Sequence, residues 1–322
     1  MRYIFFLLFL YNITLFSSEI VHVKISKIHG LVSFAHSLSN LPYNVKSYKT
    51  LYLKHYPKSS LTEIKNNTQK IYNTKVYNYI KQQSSFSLSI TELQKRVLGD
   101  ARFQNTKDIN NYFLSLKNIM PRYEELIYDD SLKKLTEIKK QIKLLLLQTN
   151  YNHLIIRAAK FYGVKETDIP PVYLSLTPIT QGKTTTAYML GNVESIGILI
   201  NKQRLNLPWL LSATLFHEIM HLFYKQNYNE IKDLLYQNNF VTYQNQKVFN
   251  ESLATAFGAG WAFYKLTRKQ SNGMWYNNQL YDKTAKSIYM MLSRYMQADK
   301  KLDDSFIQKM YENYQNLVLL HK

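Results

Sequence analysis

The sequence predicts an α+β fold in which a small mixed sheet leads into a buried helix, behind a mainly helical N-terminal region. Three β-branched or aromatic runs between residues 172 and 200 are separated by turn signals at Gly182 and Gly191-Asn192. A nearly continuous apolar segment of helical length follows at 208–223. Upstream of the sheet, apolar residues recur at the three- and four-residue spacing of helices.

Residues 1–18 have the composition of a signal peptide. One positive charge at Arg2 precedes the apolar run Ile4–Leu10, and the segment ends in the small pair Ser17-Ser18. We therefore expect the mature chain to begin near Glu19 and the protein to be secreted or periplasmic. An uncleaved leader would instead anchor it in a membrane.

Two regions follow the leader. Residues 19–127 are predicted to be mainly helical, and residues 128–322 are assigned to a second domain. Helix breaks are expected at three prolines, Pro42, Pro57 and Pro121. Two further helices are predicted at the start of the second domain, over 132–146 and 151–162. Whether 19–127 forms its own domain or wraps the second is left open.

The strands and the buried helix come next along the chain. The predicted strands are Val172–Leu176, Thr184–Leu190 and Ser195–Ile200. The helix is predicted over 208–223, with Asn206 as its N-cap and Pro208 in its first turn, where a missing N–H costs nothing.

This helix carries the motif His217-Glu218-Ile219-Met220-His221. Positions four apart lie on one helical face, so His217 and His221 can bind one metal ion. Glu218 points beside that ion, where it can take a proton from a zinc-bound water. The alternative is a pair of histidines hydrogen-bonded in the core, but two buried imidazoles and a carboxylate need partners that a Zn²⁺ ion would supply.

A catalytic zinc site needs a third protein ligand and leaves a fourth position for water or substrate. No His follows the motif until His321, and a longer zinc motif is excluded because Tyr224 and Asn227 replace its Gly and His. The third ligand is therefore a downstream carboxylate, chosen from Glu230, Asp233 and Glu251.

The surroundings of these carboxylates favour Glu251. Glu230 and Asp233 lie in a polar stretch typical of a solvated helix face. Glu251 is the one charge in the small and apolar segment 249–263, where a carboxylate is unfavourable unless a cation meets it. Asp233 stays the second choice.

With the motif and the pair Asn250-Glu251, the chain resembles the gluzincin clan of zinc metallopeptidases, in which a downstream helix opens with Asn-Glu or a similar pair. The resemblance implies a zincin-like catalytic domain. It also implies that zinc is bound by His217, His221 and Glu251, with Glu218 as general base. The clan often has an Asp four residues after the ligand Glu, and this chain has Thr255 there, a weaker hydrogen-bond partner for a metal-bound His.

The resemblance further implies a substrate that runs antiparallel to an edge strand and a Tyr that stabilises the oxyanion. The available tyrosines are Tyr276, Tyr281 and Tyr289, and we select Tyr281, which opens an amphipathic helix running to about residue 295. Residues 191–197 weakly resemble the Gly-x-Met-Glu-Asn strand of zinc aminopeptidases, so Glu194 could hold a substrate amino group. Our preferred interpretation of Glu194 is a polar turn residue.

The composition limits the partners. The net charge is +19, from 41 basic and 22 acidic residues, which predicts loose attraction to anionic envelope surfaces. The basic residues form no dense run, so we expect no specific nucleic acid binding. The absence of Cys excludes disulfides and lipoprotein attachment.

The sequence therefore predicts an exported zinc-dependent peptidase acting on a peptide or protein substrate. The competing hypotheses are a non-catalytic binding protein of the cell envelope on the same fold, and an aminopeptidase that uses Glu194. Substrate identity, exo- or endopeptidase action and oligomeric state are not determined by the sequence.

Overall fold

The computed structural model describes residues 19–41, 46–103, 106–179, 186–199 and 205–319. The predicted signal peptide, the break at Pro42 and the turn at Gly182 lie outside these residues. No helix among the described residues is both long enough and apolar enough to cross a membrane.

A four-stranded mixed sheet lies at the centre of the α+β fold. Its strands are β1 (Val21–Ile25), β2 (Val172–Ile179), β3 (Thr186–Leu190) and β4 (Val193–Leu199). The order is β1-β2-β4-β3; β1, β2 and β4 are parallel, and β3 is an antiparallel edge strand. The small mixed sheet and three of its strands were predicted from the sequence.

Strand β1 was not predicted from the sequence, although the N-terminal region is otherwise mainly helical, as expected. The five residues of Val21–Ile25 pair in parallel with β2, more than a hundred positions along the chain. So short a run has little strand preference of its own, and the pairing partner decides its structure. The N-terminal end of the described chain is thereby part of the sheet.

The two faces of the sheet meet different parts of the protein. Val23, Leu174, Glu194 and Met189 form one row in register across all four strands, so they share a face. This face packs against the core built by residues 135–314. The opposite face carries Ser195, which meets the helices that follow β1.

Those N-terminal helices have their own hydrophobic core, which runs from Ile28 to Ile127. They are α1 (Lys27–Leu38), α2 (Lys46–His55), α3 (Thr62–Tyr72), α4 (Lys75–Ser84), α5 (Ile90–Leu98) and α6 (Thr106–Tyr123). His29 of α1 connects this core to the sheet, since its Nε2 lies 2.8 Å from Ser195 Oγ in a hydrogen bond. Burial lowers the pKa of His29 to about 3, so the link is between neutral groups.

Along the chain, the first core ends at Ile127 and the second begins at Leu135, close to the predicted boundary at 127–128. Val21 and Val23 of β1 are exceptions, since they belong to the second core. The expected break at Pro121 was wrong. Pro121 lies inside α6, and the chain stays helical through the π-helical segment Glu124–Tyr128. Pro57, in contrast, does separate α2 from the next helical turn.

The second core is formed by the sheet and by nine further α-helices among the described residues. They are α7 (Asp129–Gln148), α8 (Tyr151–Phe161), α9 (Leu207–Trp209), α10 (His217–Gln226), α11 (Tyr228–Gln237), α12 (Tyr243–Thr255), α13 (Phe263–Thr267), α14 (Gln279–Gln297) and α15 (Asp304–Leu319). Two π-helical segments, Leu210–Phe216 and Ala256–Ala262, continue α9 into α10 and α12 into α13.

Candidate metal centre

The helix that carries the motif runs from Leu207 to Gln226 and begins as the sequence predicted. The Asn206 side chain accepts a hydrogen bond from the Trp209 N–H, and Pro208 lies in the first turn. The segment Leu210–Phe216 has π-type hydrogen bonding and is largely buried, so the motif that follows starts deep in the protein.

Three predicted ligands converge at the start of α10. The Nε2 atoms of His217 and His221 are 3.0 Å apart, and Glu251 Oε2 of α12 is 3.6 Å from each. The three ligand atoms all lie within 4.8 Å of one another. Two nitrogens bound tetrahedrally to one zinc ion at about 2.0–2.1 Å would be separated by about 3.3 Å. The donor set and its spacing therefore fit a single metal ion.

The alternative carboxylates lie elsewhere. Glu230 and Asp233 are exposed on α11, and neither belongs to the group of three. Glu230 Oε2 instead accepts a hydrogen bond from the Asn227 side chain at 3.1 Å.

A glycine sets the spacing between the two helices of this centre. A Cβ atom added to Gly258 would lie 2.5 Å from the Ser212 carbonyl oxygen and 3.1 Å from the His217 Cβ. The first contact is closer than real Cβ atoms come and involves backbone, which cannot move freely, and the second is tight. Gly258 therefore allows the helix of Glu251 to approach the helix of the two imidazoles.

Hydrogen bonds orient the two rings. His221 Nδ1 lies 3.0 Å from Asn250 Oδ1, which can only accept, so Nδ1 carries the proton and Nε2 is free to bind a metal. Thr255 Oγ1 lies 3.4 Å from His217 Nδ1, a long contact that matches its expected role as a weak partner. The sequence contained the Asn250 signal, but only as half of the Asn-Glu pair.

Charge is balanced within the group. Burial raises the pKa of Glu251, but the imidazoles of His217 and His221, each 3.6 Å from its Oε2, outweigh burial and hold that pKa far below its ordinary value. Burial lowers the pKa of His217. At His221 burial also acts to lower the pKa, yet the bond to Glu251 and the nearby Glu218 outweigh it and raise the pKa. A half-buried carboxylate thus stabilises cationic character at His221.

A cavity of about 340 Å³ opens onto this group. Its lining residues are Met189, Ala213, Thr214, His217, Glu218, His221, Glu251 and Tyr276. Glu218 therefore shares one space with the three ligands. Met189 belongs to the edge strand β3, so the cavity also reaches the edge of the sheet.

Tyr276 is the tyrosine that the structure brings to the cavity. Its hydroxyl donates a hydrogen bond to Glu251 Oε2 at 3.0 Å, and its ring stacks on His217 with centroids 5.7 Å apart. The selected Tyr281 is buried behind it, with ring centroids 5.5 Å apart, and Tyr289 packs against Trp275. The structure thus brings Tyr276, rather than the selected Tyr281, to the cavity. Burial and Glu251 raise the pKa of Tyr276, so its hydroxyl stays protonated.

The loop that carries Tyr276 is fixed by Asp282 of α14. Asp282 Oδ1 accepts hydrogen bonds from the N–H groups of Trp275 at 2.5 Å and Tyr276 at 3.3 Å. Its other oxygen binds Lys286 Nζ at 2.8 Å. No sequence pattern marked this carboxylate, because its partners are backbone groups.

Glu194 corrects another prediction, since it is not a polar turn residue. It lies in β4, is completely buried, and faces the same side of the sheet as Met189. Neither of its carboxyl oxygens has a hydrogen-bond partner among the described residues. Burial and the nearby Glu218 raise the pKa of Glu194 well above its ordinary value, so the group is neutral over a wide pH range. It does not line the cavity.

Comparisons with known proteins leave the chain without an assigned relative. No protein-family model matches it, and neither the curated proteins nor the solved structures contain a significant match.

The buried carboxyl of Glu194 makes stability depend on pH. An unfolded glutamate loses its proton near its ordinary pKa of 4.5, whereas folded Glu194 keeps it to a higher pH. Rising pH therefore favours the unfolded state between these two values, with a slope of up to about 1.4 kcal/mol per pH unit. Glu194→Gln has no proton to lose, so its free energy of unfolding should not fall with pH in this way. We therefore expect the free energy of unfolding of the variant minus that of the wild type, measured by urea unfolding, to increase from pH 5 to pH 7.

The exposed Glu137→Gln on α7 serves as control and should show no such trend. A Glu194→Gln difference that stays constant across this pH range would show that Glu194 ionises in the folded protein as it does in the unfolded chain.

Proposed function

We propose that this protein is an exported zinc-dependent peptidase that hydrolyses peptide bonds with Glu218 as general base. The observation that carries the proposal is the convergence of two imidazoles, a carboxylate and Glu218 in one cavity at the edge of the sheet. A metal site built only for structure has no use for a carboxylate in the position of Glu218. The proposed export rests on the leader sequence at residues 1–18.

Zinc fits the donor set best. Imidazole nitrogens and one carboxylate oxygen are the ligands of many catalytic zinc sites, in which three protein groups leave a fourth position for water. Magnesium and calcium prefer oxygen ligands, which the two histidines do not provide.

Bound zinc would lower the pKa of a coordinated water to about 7 and polarise the carbonyl of a peptide. Each protein group then has one task. Glu218 accepts the proton of the attacking water and delivers it to the leaving amine. The Tyr276 hydroxyl, kept protonated by burial, would turn from Glu251 Oε2 and donate its one hydrogen bond to the developing oxyanion.

Strand β3 offers a place for the substrate. Among the described strands it pairs only with β4, so its outer edge has backbone groups available to an extended peptide. Met189 of β3 lines the cavity, and a peptide added to this edge therefore lies beside the metal ligands.

The two competing functions receive less support. A binding protein without activity leaves the position of Glu218 unexplained. An aminopeptidase that holds the substrate amino group with Glu194 requires that carboxyl to be reachable, and it is completely buried outside the cavity lining.

The metal can be tested on purified protein. We expect about one zinc ion per chain, and loss of the ion in His217→Ala and in His221→Ala, because two remaining ligands do not hold zinc against water. Glu251→Ala should lose most of the affinity, whereas Asp233→Ala on exposed α11 should bind as the wild type does. Elemental analysis and competition with a chromogenic chelator measure both. Full zinc occupancy in the double histidine variant would refute the site.

The general base is tested by Glu218→Gln. This variant keeps the size of the side chain and should keep zinc, but it lacks the proton acceptor, so cleavage of a peptide library should fall at least about a hundredfold. Equal cleavage by both proteins, or no cleavage by the zinc-loaded wild type, would favour the binding-protein alternative.

The two tyrosines form a matched pair. Tyr276→Phe removes the hydroxyl that lies at Glu251, and we expect kcat to fall roughly tenfold to a hundredfold with little change in KM, since the oxyanion forms only during the reaction. Tyr281→Phe, one ring further from the cavity, should leave kcat within about twofold. A larger effect at Tyr281 would return the role to that residue.

A further inference from the structure

A second and larger pocket lies between the N-terminal helices and the β3–β4 hairpin. Its volume is about 780 Å³, more than twice that of the cavity at the metal ligands. Residues of α3, α4 and α6 line it together with Arg102, Phe103, Leu190 and Gly191. None of its described lining residues belongs to the proposed metal centre.

Two successive residues of the edge strand β3 each line one of the two cavities. Met189 lines the metal cavity and Leu190 lines the second pocket. Successive side chains of a strand point to opposite faces of the sheet. The second pocket therefore lies on the face of the sheet that packs against the N-terminal helices, directly across β3 from the metal ligands.

An extended peptide on the outer edge of β3 would reach both cavities. A peptide residue opposite Met189 faces the metal ligands, and its neighbour opposite Leu190 faces the second pocket, whichever direction the peptide runs. The hairpin turn at Gly191 closes against α4, because a Cβ on Gly191 would lie 2.7 Å from Gln82 Nε2. The second pocket thus takes the side chain next to the one at the metal.

Three cations, Lys70, Lys75 and Arg102, and one acid, Asp108, line this pocket. Arg102 is paired with Asp100 at 2.6 Å, which leaves Lys70 and Lys75 as the cations open to a ligand. Lys70 Nζ is 3.7 Å from Asp108 and partly balances it, whereas Lys75 is exposed and has no salt-bridge partner among the described residues.

Arg102 lies at the exposed rim of this pocket. Its guanidinium group donates hydrogen bonds to Asp100 and lies 5.2 Å from the ring centre of Tyr79 and 5.3 Å from that of Phe103. The two rings, whose centroids are 5.1 Å apart, form an apolar wall below the cations. Such a wall accepts the methylene groups of a side chain while the cations meet its charged end.

We propose that this pocket, formed by residues of α3, α4 and α6 with Arg102 and the β3–β4 hairpin, selects an acidic side chain in the substrate peptide. The proposal rests on the proposed peptidase function and names its substrate class: peptides with Glu or Asp next to the residue that lies at the metal centre. The basic character of the whole chain, with a net charge of +19, acts in the same direction at longer range.

The test uses the zinc-loaded full chain and synthetic peptides that differ at one position, which carries Glu, Gln or Lys at each place around the cleaved bond. Exposed ion pairs are individually weak, so Lys70 and Lys75 together should give the Glu peptide about a two- to thirtyfold higher kcat/KM than the Gln peptide at one position. The preference should shrink as salt rises, because these charges are exposed to solvent.

Variants locate the preference. Lys75→Glu, and Lys70→Glu with Lys75→Glu, should abolish or invert the ratio of kcat/KM for the Glu peptide to kcat/KM for the Gln peptide, each ratio being measured on the same variant. Lys143→Glu, an equal charge change at an exposed position of α7 outside the pocket, should leave the preference intact. If Lys143→Glu reduces it as much as Lys75→Glu does, net charge rather than this pocket selects the substrate, and the proposal is wrong.

The outcomes separate this proposal from the proposed function. Suppose that cleavage depends on Glu218 but that Glu and Gln peptides are cleaved equally at every position. The proposed selectivity of the pocket would then be wrong, and the proposed peptidase function would stand. If the zinc-loaded protein cleaves none of the peptides, the peptidase function fails and the pocket proposal fails with it.

Discussion

The carboxylate of Glu251 between the imidazoles of His217 and His221 is the interaction on which the surrounding structure depends. Buried charges are unfavourable unless each is paired and hydrogen-bonded, and this group satisfies the condition by drawing on several elements. Asn250 and Thr255 contact the outer ring nitrogens, and the Tyr276 hydroxyl donates to the carboxylate. These contacts orient the two rings and the carboxylate toward one another, which is the arrangement that a dication would complete.

That centre requires two helices to come unusually close, and glycine allows it. Gly258 faces the Ser212 carbonyl and the His217 Cβ at distances that exclude a side chain. The loop after α13 places Tyr276 against the His217 ring. Asp282 holds this loop by accepting hydrogen bonds from two of its backbone N–H groups. The cavity is thus shaped by packing and backbone hydrogen bonds, so the orientation of its polar groups is set before any substrate binds.

The sheet places two environments on either side of one edge strand. One face supports the metal-site helices and carries the neutral, buried carboxyl of Glu194, which lowers folding stability as pH rises. The other face packs against the N-terminal helices, where His29 of α1 forms a hydrogen bond with Ser195 of β4. Because β1 also joins the sheet, the N-terminal region and the second core share one structural element and build the large basic pocket together with the hairpin.

Local patterns in the sequence determined the elements that depend on neighbouring residues. The strands of 172–199, the helix capped by Asn206 and the side-by-side placement of His217 and His221 follow from periodicity and capping, which act over a few positions. The selection of Glu251 also came from sequence, because a lone carboxylate in an apolar helix needs a partner. Tertiary structure decided the rest: the pairing of β1 with β2, the burial of Glu194 and the arrival of Tyr276 rather than Tyr281 at the cavity. Each of these features depends on contacts between residues distant in the chain or on the path of an irregular loop. Long-range contacts and irregular loops leave no periodic signal in the sequence.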